Sequence, residues 1–152
     1  MPMIDVYAPE HIFPADADNT LGTELAYAVL RAEGVTKPGP FHLDNTAVFV
    51  HRLKETAIHT GSMNSANHVR VQIITPPGAL NRDGQRQITK DATEIVARIA
   101  GDATLVKRTW VILSEAAEGG WGIQGTAFGK EELGALAAQA AAAANAAQEG
   151  AK

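Results

Sequence analysis

Two parts of the chain show the same order of hydrophobic patterns, namely an alternating run, a helical stripe and a second alternating run. Apolar and polar positions alternate over residues 3–7, which predicts a short strand. Residues 18–33 then place apolar side chains at the spacing of a helix that Gly34 is suited to end. Alternation returns over residues 46–54. A strand, a helix and a strand within about fifty residues predict a βαβ unit with parallel strands and a right-handed crossover.

The second part of the chain repeats this order. It has an alternating run at 69–74, a helical stripe from about 82 to 100 and a strand pattern at 109–113. Two tandem βαβ units predict an α+β fold, in which one mixed four-stranded sheet carries both helices on one face. Because apolar residues occupy both sides of strands 46–54 and 109–113, the other face should be exposed in a monomer and favour self-association.

The remaining segments connect or follow these units. Residues 60–67 are small and polar and predict a linker. Residues 118–125 are too rich in glycine for a helix and predict a hairpin or arm, whereas the Ala-rich segment after Lys130 predicts a helix. The expected organisation is a domain at 1–129, with repeat halves at about 2–59 and 68–125, followed by a C-terminal helix or tail at 130–152.

Composition excludes several classes of function. The 152 residues are 45% hydrophobic and 20% charged, which indicates one globular domain with a proper core. A net charge of −4 provides no basic surface for nucleic acid, and the absence of cysteine removes disulfides and thiol chemistry. The chain has no signal-like start and no apolar run near the ~18 residues of a membrane span. We therefore expect a cytoplasmic protein with no membrane or nucleic-acid partner.

Other sites of common chemistry find little support in the sequence. The five histidines form no His-x-x-x-His pair, so they are interpreted as surface or core residues and no metal is expected. The glycine-rich stretch 119–125 follows a strand without opening a helix, which argues against a phosphate-binding loop. No Gly-x-Ser-x-Gly element of a serine hydrolase is present.

The start of the chain carries the most informative chemistry, because Pro2 follows Met1 and precedes the first strand. If Met1 is removed, Pro2 becomes a free secondary amine. An ordinary terminal amine has a pKa of about 8, and burial among apolar side chains lowers such a pKa toward neutrality. The amine can then take or give a proton at working pH. The alternative interpretation of Pro2 is an ordinary processed terminus. If Met1 is retained, the nitrogen of Pro2 is an amide without basicity.

Pro2, the two βαβ units and two segments after the third strand together resemble a known family. The segments are Trp-Val-Ile-Leu-Ser-Glu at 110–115 and Gly-Gly-Trp-Gly-Ile-Gln-Gly at 119–125. The pattern resembles the tautomerase superfamily, which includes 4-oxalocrotonate tautomerase, malonate semialdehyde decarboxylase and the cis-3-chloroacrylic acid dehalogenases. The resemblance covers roughly residues 2–128 and is to the long, fused members. It implies a homotrimer.

The resemblance also implies a set of site residues. Pro2 would be the catalytic acid or base, and the substrate would be a small 2-keto or 2-hydroxy-dienoate acid whose carboxylate needs a cation. The family places an arginine at the start of the second helix, where Arg82 is the nearest match. A guanidinium binds a carboxylate through two hydrogen bonds, and the helix start adds donors. Trp110 and Trp121 would line the pocket, unless they are core residues. Arg70 would reach the substrate, unless it is a surface residue.

Departures from the family narrow the expected activity. Val29 occupies the position of the dehalogenases' water-activating histidine, Ile112 that of their tyrosine, and Glu118 lies only near their late glutamate. Dehalogenation of the cis substrate is therefore not expected. Asp44 corresponds approximately to the aspartate of the decarboxylase, and its other interpretation is a turn residue or cap.

These residues support three hypotheses. In the first, the chain is a cofactor-independent keto-enol tautomerase in which neutral Pro2 is the general base and Arg82 holds the substrate carboxylate, with no metal or organic cofactor. In the second, cationic Pro2 is the acid in hydration or decarboxylation of a three-carbon acid. In the third, the chain is a non-catalytic trimer that binds a small ligand.

Overall fold

The computed structural model of the chain describes residues 1–62 and 66–149. Residues 63–65 of the predicted linker and 150–152 of the predicted tail lie outside the described residues. Two short 3-10 helices, Glu55–Ala57 and Ala103–Lys107, join the main elements. Those elements are β1 (Met3–Pro9), α1 (Asp18–Ala32), α2 (Pro40–Asp44), β2 (Ala47–Leu53), β3 (Val69–Thr75), α3 (Arg82–Ala100), β4 (Thr109–Glu115), β5 (Trp121–Ile123), β6 (Thr126–Phe128) and α4 (Lys130–Glu149).

The main sheet has the strand order β2-β1-β3-β4. Strand β1 is parallel to β2, and β3 is parallel to β4, as two βαβ units require. The two units meet through β1 and β3, which are antiparallel. The predicted α+β fold with one mixed four-stranded sheet is confirmed.

Helices α1 and α3 cover one face of this sheet, and the core lies between the two layers. The two helices also contact each other closely: a Cβ atom at Gly84 would lie 2.6 Å from the backbone oxygen of Ala32. Only glycine therefore allows the start of α3 to lie against the end of α1. Fully buried core side chains include Ile4, Val6, Leu21, Leu25, Val29, Val69, Val71, Ile73, Ile88 and Val96.

The opposite face of the sheet exposes large apolar side chains. Phe49 of β2 is 51% exposed, and Trp110 and Ile112 of β4 are 43% and 48% exposed. A hydrophobic surface of this kind is typical of an interaction site. The predicted exposure of apolar residues on the second sheet face is confirmed.

Some elements differ from those the pattern predicts. Strand β1 continues to Pro9, because it remains paired with β2 as far as Leu53. The short helix α2 was not predicted, since five residues hold too little periodicity for recognition. The glycine-rich stretch forms the predicted hairpin, of β5 and β6. Among the described residues, no helix is both long and apolar enough to cross a membrane.

Candidate functional site

The start of the chain lies at one end of the strands of the main sheet, where several connecting segments meet. Met3 pairs with Ala47 at the start of β2 and with Ile74 near the end of β3. The carbonyl oxygen of Pro2 accepts a hydrogen bond from the backbone N–H of Ala47 at 3.3 Å. Pro2 is buried there. This pairing fixes the position of the first residues.

The terminal ammonium of Met1 is buried in an ion pair. It donates to Oε2 of Glu33 at 2.8 Å, and the side chains of Met1 and Glu33 are only 7% and 5% exposed. The other carboxylate oxygen, Oε1, is buried and has no hydrogen-bond partner within the described part of the chain. Glu33 directly follows α1. The end of this helix therefore places a carboxylate against the terminal nitrogen.

The side chain of Met1 lies in a second apolar cluster, separate from the main core. Met1 is 9% exposed and shares this cluster with Trp121, which is 6% exposed, and Leu133 of α4. The indole Nε1 of Trp121 is also buried without a partner among the described residues. The hairpin and α4 therefore help to bury the first residue.

A cavity of about 360 Å³ opens beside the terminus. Its polar groups are the ammonium of Met1, the carboxylate of Glu33, the imidazole of His42 in α2 and the side chain of Lys130 at the start of α4. The other wall-forming residues are mostly apolar or small: Val35, Phe41, Pro76, Pro77, Gly78, Ala79, Leu133, Gly134 and Ala137. We call this cavity the N-terminal pocket.

Burial changes the proton affinity of two groups in the N-terminal pocket. It raises the pKa of the Glu33 carboxyl above its usual value, and the charge and hydrogen bond of the terminal ammonium offset this only in part. Burial also lowers the pKa of His42, and the positive terminus lowers it further. His42 Nδ1 is buried without a partner among the described residues. His42 is therefore a neutral imidazole near pH 7.

Two of the predicted site residues, Pro2 and Trp121, lie at this terminus, whereas Arg82 lies elsewhere. Arg82 is the exposed first residue of α3 and donates to Oε1 of Gln85 at 3.2 Å. It lines a different cavity, together with Val106 and Leu113. In this single chain, Arg82 is not a wall of the N-terminal pocket.

Arg70 and Trp110 lie side by side on the open face of the sheet. The guanidinium of Arg70 is 4.5 Å from the ring centre of Tyr7, and it donates to Oε1 of Gln72 at 2.7 Å. Trp110 stacks on His68 with a centroid distance of 4.6 Å. Both predicted residues therefore occupy the face that remains exposed in a monomer.

The residues at which the chain departs from the family have other surroundings. Val29 is fully buried in the core, and Ile112 is exposed on the open face. Glu118 accepts from the backbone N–H of Lys130 at 2.7 Å and so caps the start of α4. Asp44 is exposed at the end of α2, and the pocket is lined instead by Phe41 and His42 of that helix.

Sequence reasoning missed three polar residues of the N-terminal pocket, Glu33, His42 and Lys130. Glu33 carried a signal, because an acidic residue at a helix C-terminus opposes the helix dipole and needs another reason to be there. His42 and Lys130 carried none. Their elements reach the pocket only through the tertiary fold. Within residues 1–62 and 66–149, no three His, Asp or Glu side chains are grouped to hold a metal ion.

Comparison with known proteins finds solved structures that share this fold. No family model matches the chain, and no curated protein matches it in sequence. Several solved structures are similar. A fused 4-OT wild-type symmetric trimer has a TM-score of 0.68 and 14% identity, covering 82% of this chain and 93% of that one. Pt0534 inactivated by 2-oxo-3-pentynoate has a TM-score of 0.70 and 14% identity, covering 87% and 98%.

A third similar structure is N1, a member of the cis-3-chloroacrylic acid dehalogenase family. It has a TM-score of 0.67 and 14% identity, covering 89% of this chain and 90% of that one. The matches cover 93%, 98% and 90% of these three proteins. The predicted resemblance is thus confirmed for the fold, and the chain has the fold of the fused members of the tautomerase superfamily.

Proposed function

We propose that the chain is an isomerase that uses its N-terminal amine to tautomerise a small 2-keto or 2-hydroxy-dienoate acid. The observation that carries this proposal is the position of the terminal nitrogen, which is buried at a 360 Å³ cavity beside a carboxylate. Most chain termini lie at the surface. The similar protein Pt0534 is inactivated by a 2-oxo acid, which supports the same substrate class.

Removal of Met1 would place a reactive nitrogen beside an apolar space. Pro2 would become the terminal residue, and its secondary amine would replace the ammonium of Met1. The side chain of Met1 now packs against Trp121 and Leu133. Its departure would leave a place of similar size and polarity for the apolar part of a substrate.

The proposed reaction moves one proton within the substrate. Neutral Pro2 removes a proton from one atom of the keto or enol acid, the electron pair is delocalised into the dienolate, and the same amine returns the proton to another atom. A cation that holds the carboxylate also stabilises the developing negative charge. In this scheme Arg82 is the candidate cation that the sequence suggests, Arg70, Trp110 and Trp121 are proposed binding residues, and no cofactor takes part.

A second function is favoured by the carboxylate of Glu33. Glu33 lies 2.8 Å from the nitrogen of Met1, and an anion beside the amine that Pro2 would expose stabilises the protonated form of that amine. A cationic Pro2 would be an acid instead of a base, as in hydration or decarboxylation of a three-carbon acid.

The pH dependence of turnover distinguishes these functions. Activity of the base mechanism is expected to fall below the pH at which Pro2 takes up a proton, and activity of the acid mechanism to fall above it. Steady-state rates on phenylenolpyruvate and on a three-carbon acid, measured from pH 5 to 9 on protein whose intact mass shows loss of Met1, test both. Protein without Met1 that turns over neither substrate would support the third hypothesis, a non-catalytic binding protein.

We propose a homotrimer in which the open face of the sheet is buried. The similar fused 4-OT is a trimer, and burial of the exposed apolar side chains of Phe49, Trp110 and Ile112 would stabilise such an assembly.

Ile112→Lys should convert the assembly to monomers, because a charge in an apolar interface is costly. Light scattering after gel filtration measures the mass. Val106→Lys is the control, since Val106 is equally exposed, at 53%, but lies outside the sheet. Equal masses for the two variants would contradict this interface.

A further inference from the structure

We propose that Lys130 is the residue that binds the substrate carboxylate in the N-terminal pocket, and that the substrate is a monocarboxylate with an apolar remainder. This inference rests on the proposed function, because the bound carboxylate is a substrate only if the chain is that isomerase. It assigns to α4 a role in the site that its Ala-rich sequence does not indicate.

The first argument is position. Lys130 lines the same cavity as the terminal residue, Glu33 and His42, whereas Arg82 lines a different one. The loop between β3 and α3, which the resemblance makes the source of the cation, contributes only Pro76, Pro77, Gly78 and Ala79 to the pocket. Among the described residues that line it, Lys130 is the one lysine or arginine.

The second argument is the way the side chain of Lys130 is held. Gly78 has a φ of +70°, and a Cβ atom there would lie 3.0 Å from Cε and 3.3 Å from Nζ of Lys130. The lysine therefore lies across the bare backbone of Gly78, where a larger residue would obstruct it. This contact directs the side chain along the pocket wall.

The third argument is that the ammonium of Lys130 has no carboxylate partner among the residues that the structure describes. The two nearby acids are used by backbone groups at the start of α4. Glu118 accepts from the N–H of Lys130 itself at 2.7 Å, and Glu132 accepts from the N–H of Gly129 at 2.9 Å. The Nζ donors are thus available to an anion that enters from solvent.

The charges in the pocket set the number of carboxylates it accepts. With Met1 in place the terminal ammonium is paired with Glu33. After loss of Met1 and with Pro2 neutral, the charge of Lys130 is the one positive charge among the described residues that line the pocket. One monoanion would neutralise it, whereas a second carboxylate would meet the buried anion of Glu33. The walls formed by Val35, Phe41 and Leu133 suit an apolar remainder. These features favour an aryl or alkyl monocarboxylate over a dicarboxylate.

The test separates binding from turnover. Calorimetry measures binding of 3-phenylpropionate, an unreactive monocarboxylate, and of 3-phenylpropanamide, its neutral counterpart, to the full-length protein. Lys130→Met is expected to weaken binding of the acid by about 10- to 100-fold, the worth of one charge-assisted hydrogen bond. It should change binding of the amide by less than about twofold, and Lys130→Arg should restore most of the loss.

Two further variants sharpen this test. Lys107→Met removes the same charge at the opposite end of the strands, just before β4. It is expected to leave binding of the acid unchanged. Arg82→Gln tests the rival cation. The proposal is overturned if Lys130→Met binds the acid as the wild type does, if only Arg82→Gln loses it, or if the wild type binds no monocarboxylate.

The kinetic readout distinguishes this proposal from the proposed function. On phenylenolpyruvate, Lys130→Met should raise KM by about tenfold while Pro2→Ala lowers kcat. If the acid binds through Lys130 but no turnover depends on Pro2, the carboxylate site stands and the isomerase proposal fails. If turnover depends on Pro2 but neither KM nor binding of the acid depends on Lys130, the reverse holds.

Discussion

Pro2→Ala is expected to lower kcat for phenylenolpyruvate by about 100-fold, near the lower limit for loss of a positioned acid–base group. Alanine retains a primary amine, so proton transfer is weakened but not abolished. Proline also holds its nitrogen in a five-membered ring, and the burial of the first residues beside β2 keeps it in place. The rate is measured on protein whose intact mass confirms the loss of Met1.

Two controls accompany this variant. Pro14→Ala changes an exposed proline in the loop beyond the far end of β1, and its rate should equal that of the wild type. Protein that keeps Met1 should be inactive, because its Pro2 nitrogen is an amide. An unchanged rate for Pro2→Ala, or full activity with Met1 in place, would remove the basis of the proposed isomerase.

Glu33→Ala is expected to lower the free energy of unfolding at pH 7 by about 3 kcal/mol in protein prepared with Met1 in place. Removal of one partner of a buried ion pair costs about 3–5 kcal/mol, since it leaves an unpaired buried charge. Urea denaturation measures the loss. Glu24→Ala is the matched control, since Glu24 lies in α1, the helix that Glu33 follows, but pairs with Arg98 at the surface, where such pairs contribute at most about 1 kcal/mol.

The pH dependence of this difference follows from the raised pKa of Glu33. Burial makes the folded state hold the proton of Glu33 more tightly than the unfolded state does. The resulting stability is fully present below the unfolded-state pKa of about 4.3 and is lost as the pH rises through the raised pKa. The advantage of the wild type over Glu33→Ala should therefore be larger at pH 4 than at pH 7. A difference that grows with pH, or equal losses for Glu24→Ala and Glu33→Ala, would contradict a desolvated carboxylate here.

The sequence was sufficient to predict the fold because its repeating units are local. Alternation at 3–7 and the stripe at 18–33 each depend on neighbours within one element, and so does the stripe that ends at Gly101. The order of these elements leaves few arrangements of the sheet. Residues of an open sheet face also alternate along a strand, which is why the exposure of Phe49 and Ile112 could be predicted.

Fewer residues of the N-terminal pocket could be predicted from the sequence, because they come from elements with no common local pattern. Pro2 was found through its unusual chemistry, and Trp121 through the resemblance. The structure brings together Glu33 after α1, His42 in α2 and Lys130 at the start of α4, although the last two are 88 positions apart along the chain.

The sequence by itself therefore determined the two βαβ units, the mixed sheet and the possibility of a reactive terminal amine. Only the tertiary structure decided what surrounds that amine: the carboxylate of Glu33 within hydrogen-bond distance, and Lys130 rather than Arg82 along the same cavity. The physical reason is that periodicity arises from contacts between a residue and its own element, whereas charge pairing in a pocket depends on distances between elements that only the packed chain fixes.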